Sequence, residues 1–547
     1  MGCLAEATYM RLSAADYAVF FTYMVGILIV GLYVAKREKA TSTDYFLAGN
    51  TLPWYAIGFS LVATSISTEQ FIGEVGFAYR YGVAVANWEW GVLPALTIFL
   101  VFFVPFYLRN KIRTMPEYLE RRFGAPSRVV FSAISVAICT FVNLAGVLYS
   151  GGLALKTMFG WDIWWSIVML AVVTGIYTVA GGLASVVWTD VFQCILLLAG
   201  GLLVFFLGLN AIGGWETLRG TGERAHLILP ANHPVLPWTG IVILMLSTNL
   251  WYYATNQYIN QRVLGARNEW HARAGVLFAA FLGIFLTLSV CFPGLVAYHL
   301  FPNLENPDEA YPRVVNKLVG QLGFGLRGLV FAGLIGAIMS TIDSLINSIA
   351  TLVTLDFYKR FFRKDASEKR MVQFGQISST LAVVIAVCWT PVVKSWGSVF
   401  SYFQECYVFM AMPVVVVFVA GLLWKRSSSP AAFWTLMLCF PMTSMPYLLR
   451  LKGDVIRDFL GRWNWELNPN SFLMAGVALV PVAVLHIILS LLSPKQAVTD
   501  VGKCLWDRSM LFLPTSETAG GYPWYKRILL WWIILLILFA GLYAIFW

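Results

Sequence analysis

The sequence predicts an all-α polytopic membrane protein, and three observations carry that expectation. Of 547 residues, 59% are hydrophobic and only 12% are charged, and the apolar residues gather into fourteen stretches of bilayer-crossing length. A soluble domain carries about 25% charged residues, because its exterior needs them. Mean hydropathy is +0.72. The same figures exclude a disordered chain, a coiled coil and a secreted disulfide scaffold.

A transmembrane helix needs about 20 apolar residues. The first stretch, 15–36, has no basic region before it and no small-residue cleavage site after it, so it reads as a retained span rather than a signal peptide. Met1-Gly2-Cys3 does not make a myristoylation motif, because Glu6 stands where Ser or Thr is required. Spans two to six follow at 53–78, 84–109, 127–158, 163–180 and 183–209. Spans seven to eleven follow at 237–262, 272–300, 324–357, 371–391 and 395–424. Spans twelve to fourteen complete the series at 430–450, 471–493 and 526–546. The longest of these exceed one straight crossing and predict tilt or amphipathic extensions.

Charge orients the chain. The loops after spans one, three, seven, nine, eleven and thirteen hold 25 of the 38 Lys and Arg residues, Arg262 among them. By the positive-inside rule these loops face the cytoplasm. The expectation is a multi-pass protein of the plasma (inner) membrane with both termini extracytoplasmic. The net charge of +10 is then a matter of topology, and the lipid bilayer rather than nucleic acid is the partner. The eight cysteines show no CxxC spacing and fall mostly in apolar runs, as small core residues do, so neither zinc nor a disulfide framework is expected.

Polar groups at membrane depth are costly, so they mark function. Span two reads Ala63-Thr64-Ser65-Ile66-Ser67-Thr68-Glu69-Gln70 at its middle. Polarity on all sides predicts a helix broken there to line a cavity; the alternative is a hydroxyl-rich packing face. Span three carries Glu89 between Trp88 and Trp90, and span six begins with Trp188-Thr189-Asp190. Span seven repeats the polar break with Ser247-Thr248-Asn249, Trp251-Tyr252-Tyr253 and Asn256-Gln257. Span nine brings Ser340-Thr341, Asp343-Ser344 and Asn347, and span eleven brings Phe400, Tyr402, Gln404 and Glu405.

Two chemistries emerge. Gln70, Glu89, Asn249 and Gln404, with the rings of Tyr252 and Trp88, suit a polyol: hydroxyls need donors and acceptors, and the C–H face of a sugar packs on an aromatic ring. Backbone carbonyls near Ala63 and Ile66, with the hydroxyls of Ser340 and Thr341, form an oxygen-only set suited to a weakly held monovalent cation. Spans two and seven lie five apart, an odd number, so the second set of five starts from the opposite side of the membrane. That is the arithmetic of an inverted repeat with its site at mid-membrane.

At these residues the chain resembles the sodium:solute symporter family, and within it the sodium-coupled galactose and glucose cotransporters. The motifs are Asp44-Tyr45-Phe46-Leu47-Ala48-Gly49, Ile66-Ser67-Thr68-Glu69-Gln70-Phe71-Ile72-Gly73, Arg113-Thr114-Met115-Pro116-Glu117-Tyr118-Leu119-Glu120, and Ala180-Gly181-Gly182-Leu183 with Val187-Trp188-Thr189-Asp190. The resemblance runs over nearly all of the chain. It implies a leucine-transporter-type 5+5 inverted-repeat core in spans two to eleven. Residues 51–210 would form the first repeat and 237–425 the second. Residues 1–50 would hold an extra span and loop, and 426–547 three further spans.

Carried over residue by residue, the resemblance implies a sodium site from the carbonyls of Ala63, Ile66 and Ala337 and the hydroxyls of Ser340 and Thr341, with Asp190 assisting sodium release. It implies sugar ligands at Gln70, Glu89, Asn249 and Gln404, an inner-gate ring at Tyr252 and an outer hydrophobic gate at Phe400. Asp343 and Ser344 could add a second sodium site; the alternative is a carboxylate capping backbone amides. Two positions depart from the pattern: Gly283 stands where the galactose symporter has a sugar-contacting lysine, and Val92 where it has a serine. Glu89 thereby loses a cationic partner and the pocket gains room.

The predicted function is sodium-coupled uptake of a sugar or sugar-like polyol by alternating access, without an organic cofactor. Myo-inositol, an amino sugar, a sialic acid, a nucleoside or a carboxylate are alternative cargoes. The carboxylate ranks low, because no cation is expected in the pocket. A transporter-like sensor would be expected to carry a soluble kinase module, and none is read after Trp547. An enzyme would need paired acid/base or metal-ligand spacing, which five scattered histidines with no HExxH do not provide.

Overall fold

The computed structural model describes residues 13–37, 41–320, 322–395, 399–439, 441, 471–494, 504–518 and 523–547. The side chains of Phe400 and Gln404, and span twelve from 442 onward, lie outside the described residues. Regular structure in the described residues is helical, with one isolated parallel bridge between Leu52 and Ala266. Eight helical runs among them are long and apolar enough to cross a membrane. Span one is Ala14–Arg37, span ten Glu368–Ser395, span eleven Val399–Leu423, span thirteen Ser471–Leu492 and span fourteen Ile528–Ile545.

The difference from fourteen has identifiable causes. Two of the eight runs, Glu69–Arg109 and Ile163–Ala211, each carry parts of two expected spans joined through a non-helical glycine, Gly82 in the first. In the second, the chain turns at Gly182, which has φ +58° and ψ −151°. A Cβ there would sit 2.3 Å from the Tyr45 carbonyl oxygen, so both the backbone angle and the close approach require glycine. Gly182→Ala is expected to destabilise the protein by about 2 kcal/mol or more, since holding a non-glycine residue in this glycine-only region alone costs about 1–3. Thermal unfolding of the purified protein measures it.

Spans two and seven escape the length criterion because they are broken, as their mid-membrane polar runs predict. Helix Trp54–Ser65 stops at Ile66, which is extended (φ −112°, ψ 131°), and the chain re-enters helix through a wide π-type turn, Glu69–Glu74. The Gln70 side-chain oxygen accepts from the Ser67 backbone N–H at 2.8 Å, serving a donor that the break leaves unpaired. Span seven breaks twice. Trp238–Leu246 ends at Ser247 (φ −118°, ψ −75°), and Thr248–Thr255 is separated from Gln257–Leu264 by the extended Asn256.

Span nine, Leu326–Leu352, is the central element: every residue from Val330 to Leu352 is buried. A helix buried on every face sits in the middle of the bundle, and its polar residues, Ser340, Thr341, Asp343 and Ser344 among them, must find partners there. Small residues let neighbours close on it; at Gly333 an added Cβ would meet the Leu196 carbonyl at 3.0 Å. The entry to span two is tied to the exit of span seven. Leu52 N donates to Gly265 O and Arg267 N to Leu52 O, both at 3.1 Å.

At the basic end, residues 504–518 cross the bundle. Trp506 N donates to Leu422 O at 3.0 Å, Arg273 donates to Met510 O at 2.5 Å, and Glu517 accepts from Glu269 N and Trp270 N at 3.0 and 2.9 Å. Several arginines counted above as loop charges prove to be structural. Arg122 is 3% exposed and donates to the carbonyls of Gly421 and Ser427 at 2.9 and 3.0 Å. In the helix Met115–Phe123, burial would push the Glu120 carboxyl up, but hydrogen bonds from Arg128 and Arg360 hold it below its usual range.

Candidate functional site

The breaks in spans two and seven face one cavity, enclosing about 780 Å³ including its open mouth. Gln70, Trp88, Glu89, Asn249 and Tyr252 all line it, so the structure brings together the five expected ligands whose side chains are described. Asn249 Nδ2 donates to Gly91 O at 3.5 Å. Gln70 spends its oxygen on Ser67, leaving its amide nitrogen as the remaining donor. Tyr252 sits in an aromatic group with Tyr253 and Tyr258, at centroid distances of 5.2 and 5.8 Å. Glu69 and Glu89 both line the cavity, and no basic side chain does so among the described residues. Val92 is in the wall. Gly283 is buried, with open space where a side chain would stand.

The oxygen set meets beside this cavity. Thr341 Oγ1 lies 2.9 Å from the Ile66 carbonyl, 3.2 Å from that of Ala337 and 3.2 Å from that of Thr64. One hydroxyl proton serves one acceptor, so several carbonyl lone pairs converge unserved on this point. The extended Ile66 turns its carbonyl out of the helix; without that break it would be spent on the ladder. The Ala63 carbonyl instead accepts from Ile66 N at 3.4 Å. Ser340 turns away from the group and donates to Asp190 Oδ1 at 2.5 Å.

Asp190, Asp343 and Ser344 belong to a fully buried polar network. Asp190 also accepts from Ser60 and, at 3.4 Å, from Thr64 Oγ1. Asp343 accepts from the Tyr177 hydroxyl at 2.6 Å and the Ser344 hydroxyl at 3.2 Å, so hydroxyls rather than backbone amides serve it. Arg262 closes the network. Its guanidinium donates to Ser60 Oγ at 2.7 Å and Ser344 Oγ at 2.6 Å and stands 3.7 Å from Asp190. The charge count placed Arg262 in a basic loop; the structure corrects this, with Arg262 at 0% exposure. The reason is the second break in span seven, which turns Gln257–Leu264 under the core.

The sodium:solute symporter family model matches residues 45–439, most of the chain and all of this site. The chain belongs to the sodium:solute symporter family. This symporter is 36% identical to a sodium/glucose cotransporter of Vibrio parahaemolyticus over 80% of its own length and 87% of the relative's. It is 33% identical to the mouse sodium/myo-inositol cotransporter over 80% of its own length and 67% of that protein's. Its fold matches a solved Na+-coupled sialic acid symporter in an outward-open state, with TM-score 0.74 at 24% identity, covering 88% of this chain and 99% of that one.

Three features of the symporter's site were missed in the sequence. Asn143 lines the cavity from the wide turn Ile138–Leu144; its side-chain oxygen accepts from Tyr407 at 2.9 Å, and its buried amide nitrogen has no partner among the described residues. A lone asparagine in Phe141-Val142-Asn143-Leu144 was the available signal. Glu74, one turn beyond Gln70 and behind the cavity lining, is buried with one carboxyl oxygen unpartnered among the described residues. Arg262 was concealed by its place at the end of an apolar run.

Proposed function

We propose that this symporter couples inward sodium flow to uptake of an uncharged sugar or polyol by alternating access. One observation carries the reading: a mid-membrane cavity walled by amide, hydroxyl, carboxylate and aromatic groups, without a basic side chain among the described residues, against a convergence of oxygens. Two acidic linings disfavour an anionic cargo, and hydroxyl donors suit them. Gln70, Glu89 and Asn249 bind the hydroxyls, joined by Gln404 of span eleven. Tyr252 and Trp88 pack on the ring face, and Phe400 closes the outer side. The relatives named for glucose and myo-inositol support this class of cargo.

Sodium bridges spans two and nine through Ile66, Ala337 and Thr341, with Ala63 and Ser340 completing its shell as it enters. It thereby fixes the break that presents Gln70 to the cavity. Asp190, bonded to Ser340, receives the ion on its way to the cytoplasm. The core is two inverted repeats of five spans, 51–210 and 237–425, within fourteen spans, and both termini lie outside the cytoplasm. One sodium falling through about 100 mV and a tenfold gradient supplies about 3.7 kcal/mol, enough for roughly 500-fold accumulation.

Uptake into proteoliposomes across a panel of hexoses, inositols, amino sugars and carboxylates tests the reading. Sodium-dependent uptake of a neutral sugar or polyol is expected, with Gln70→Ala raising its half-saturating concentration about tenfold, the worth of one lost hydrogen bond. Sodium-dependent uptake of carboxylates alone would overturn the polyol assignment.

A further inference from the structure

A second large cavity lies far from the transport site, at the basic end, between the entry to span two, span eight and span fourteen. It encloses about 1620 Å³ including its open side. We infer that it binds one anionic glycerophospholipid, acyl chain inward and headgroup at Lys526.

Its depth fits a lipid. Leu277, Phe278 and Phe281 line one wall and Ile528, Ile534 and Leu535 the other. From His271 to Phe281 the helix rises about 15 Å, one leaflet of the hydrocarbon. Span fourteen presents Leu529 and Ile537, 65% and 66% exposed, so this part of the molecule is bathed in lipid. Apolar lining alone would accept any lipid, so selectivity must reside at the head end.

That end is built for a phosphate. Trp270 Nε1 donates to Lys526 O at 2.7 Å and Trp531 Nε1 to Tyr525 O at 2.6 Å, which consumes the polar edges of both indoles and leaves their faces as walls. His271 Nδ1 accepts from Trp54 N at 3.2 Å, so in the neutral ring Nε2–H is the donor left for the groove. The Lys526 ammonium lies 5.8 Å from the Trp270 ring centroid. Arg267 and Lys526 both act on His271 through Coulombic interaction, and Arg527 follows in sequence. Glu517, the one carboxylate in the lining among the described residues, accepts from the backbone N–H groups of Glu269 and Trp270. Glu517 keeps its charge, but Lys526, Arg267 and Arg527 outnumber it, so the local balance is positive, and basic pockets between transmembrane helices hold anionic headgroups.

Native mass spectrometry of the full-length protein in detergent tests this, titrating phosphatidylglycerol against phosphatidylcholine with identical chains. Phosphatidylglycerol occupancy is expected to exceed phosphatidylcholine about fivefold, the worth of one basic residue near a headgroup, and Lys526→Glu should erase the difference. Leu277→Trp, which fills the apolar part, should lower occupancy by both lipids. Ile534→Trp replaces it if that variant fails to fold, and Lys526→Gln likewise replaces Lys526→Glu. Equal occupancy by the two lipids, selectivity that survives the Lys526 change, or occupancy untouched by filling the groove would each overturn the inference.

Discussion

Replacing Thr341 with valine is expected to raise the half-saturating sodium concentration for uptake at least about tenfold, since losing one oxygen ligand costs 1–3 kcal/mol on the scale of a buried polar contact. Valine keeps the shape of threonine but sets a methyl group where the hydroxyl lies 2.9 Å from the Ile66 carbonyl and 3.2 Å from those of Ala337 and Thr64. The change removes the hydroxyl oxygen and also leaves carbonyls facing a hydrocarbon. Thr341→Ser keeps the oxygen and should retain sodium affinity within about threefold. That pair separates ligation from packing, because a purely structural role would make the serine variant, which loses a methyl, the worse of the two. Sodium titration of uptake in proteoliposomes reads both. A valine variant with unchanged sodium dependence would remove Thr341 from the ion's path.

What the sequence disclosed depended on how strongly the bilayer penalises each choice. A polar run such as Thr64 to Gln70 inside an apolar span has few solutions in hydrocarbon. A break within that run and a cavity beside it were therefore legible, though not the residue, Ile66, at which the helix stops. Asn249, Glu89 and Tyr252 were legible for the same reason. Arg262 was not, because basic residues near span ends usually snorkel to the interface and count toward topology. Nothing local to Gln257–Leu264 says that this piece folds beneath the core; that depends on the extended backbone of Asn256. Asn143 escaped for a related reason. A single polar residue in an apolar helix is ordinarily a packing contact, and only the wide turn at Ile138–Leu144 carries it to the cavity.

The second large effect is expected at Arg262. Its guanidinium is the cation of a network holding two fully buried carboxylates, Asp190 and Asp343, and it bonds Ser60 of span two and Ser344 of span nine from the inner end of span seven. Arg262→Gln should lower stability by about 3–5 kcal/mol, because removing one partner leaves buried charge uncompensated. Asp190→Asn added to Arg262→Gln should recover a large part of that loss, and thermal unfolding of the single and double variants gives the coupling. Additive losses would mean that the 3.7 Å approach of the two groups carries no energy. The same network bears on stoichiometry. With both carboxylates ionised, one guanidinium leaves a negative charge unbalanced, and a second sodium beside Asp343 and Ser344 would balance it. Asp343→Asn should then lower the Hill coefficient for sodium from near two to near one. A coefficient unchanged by that substitution would assign Asp343 to the Arg262 network alone, and the single ion at Thr341 would carry the whole of the coupling.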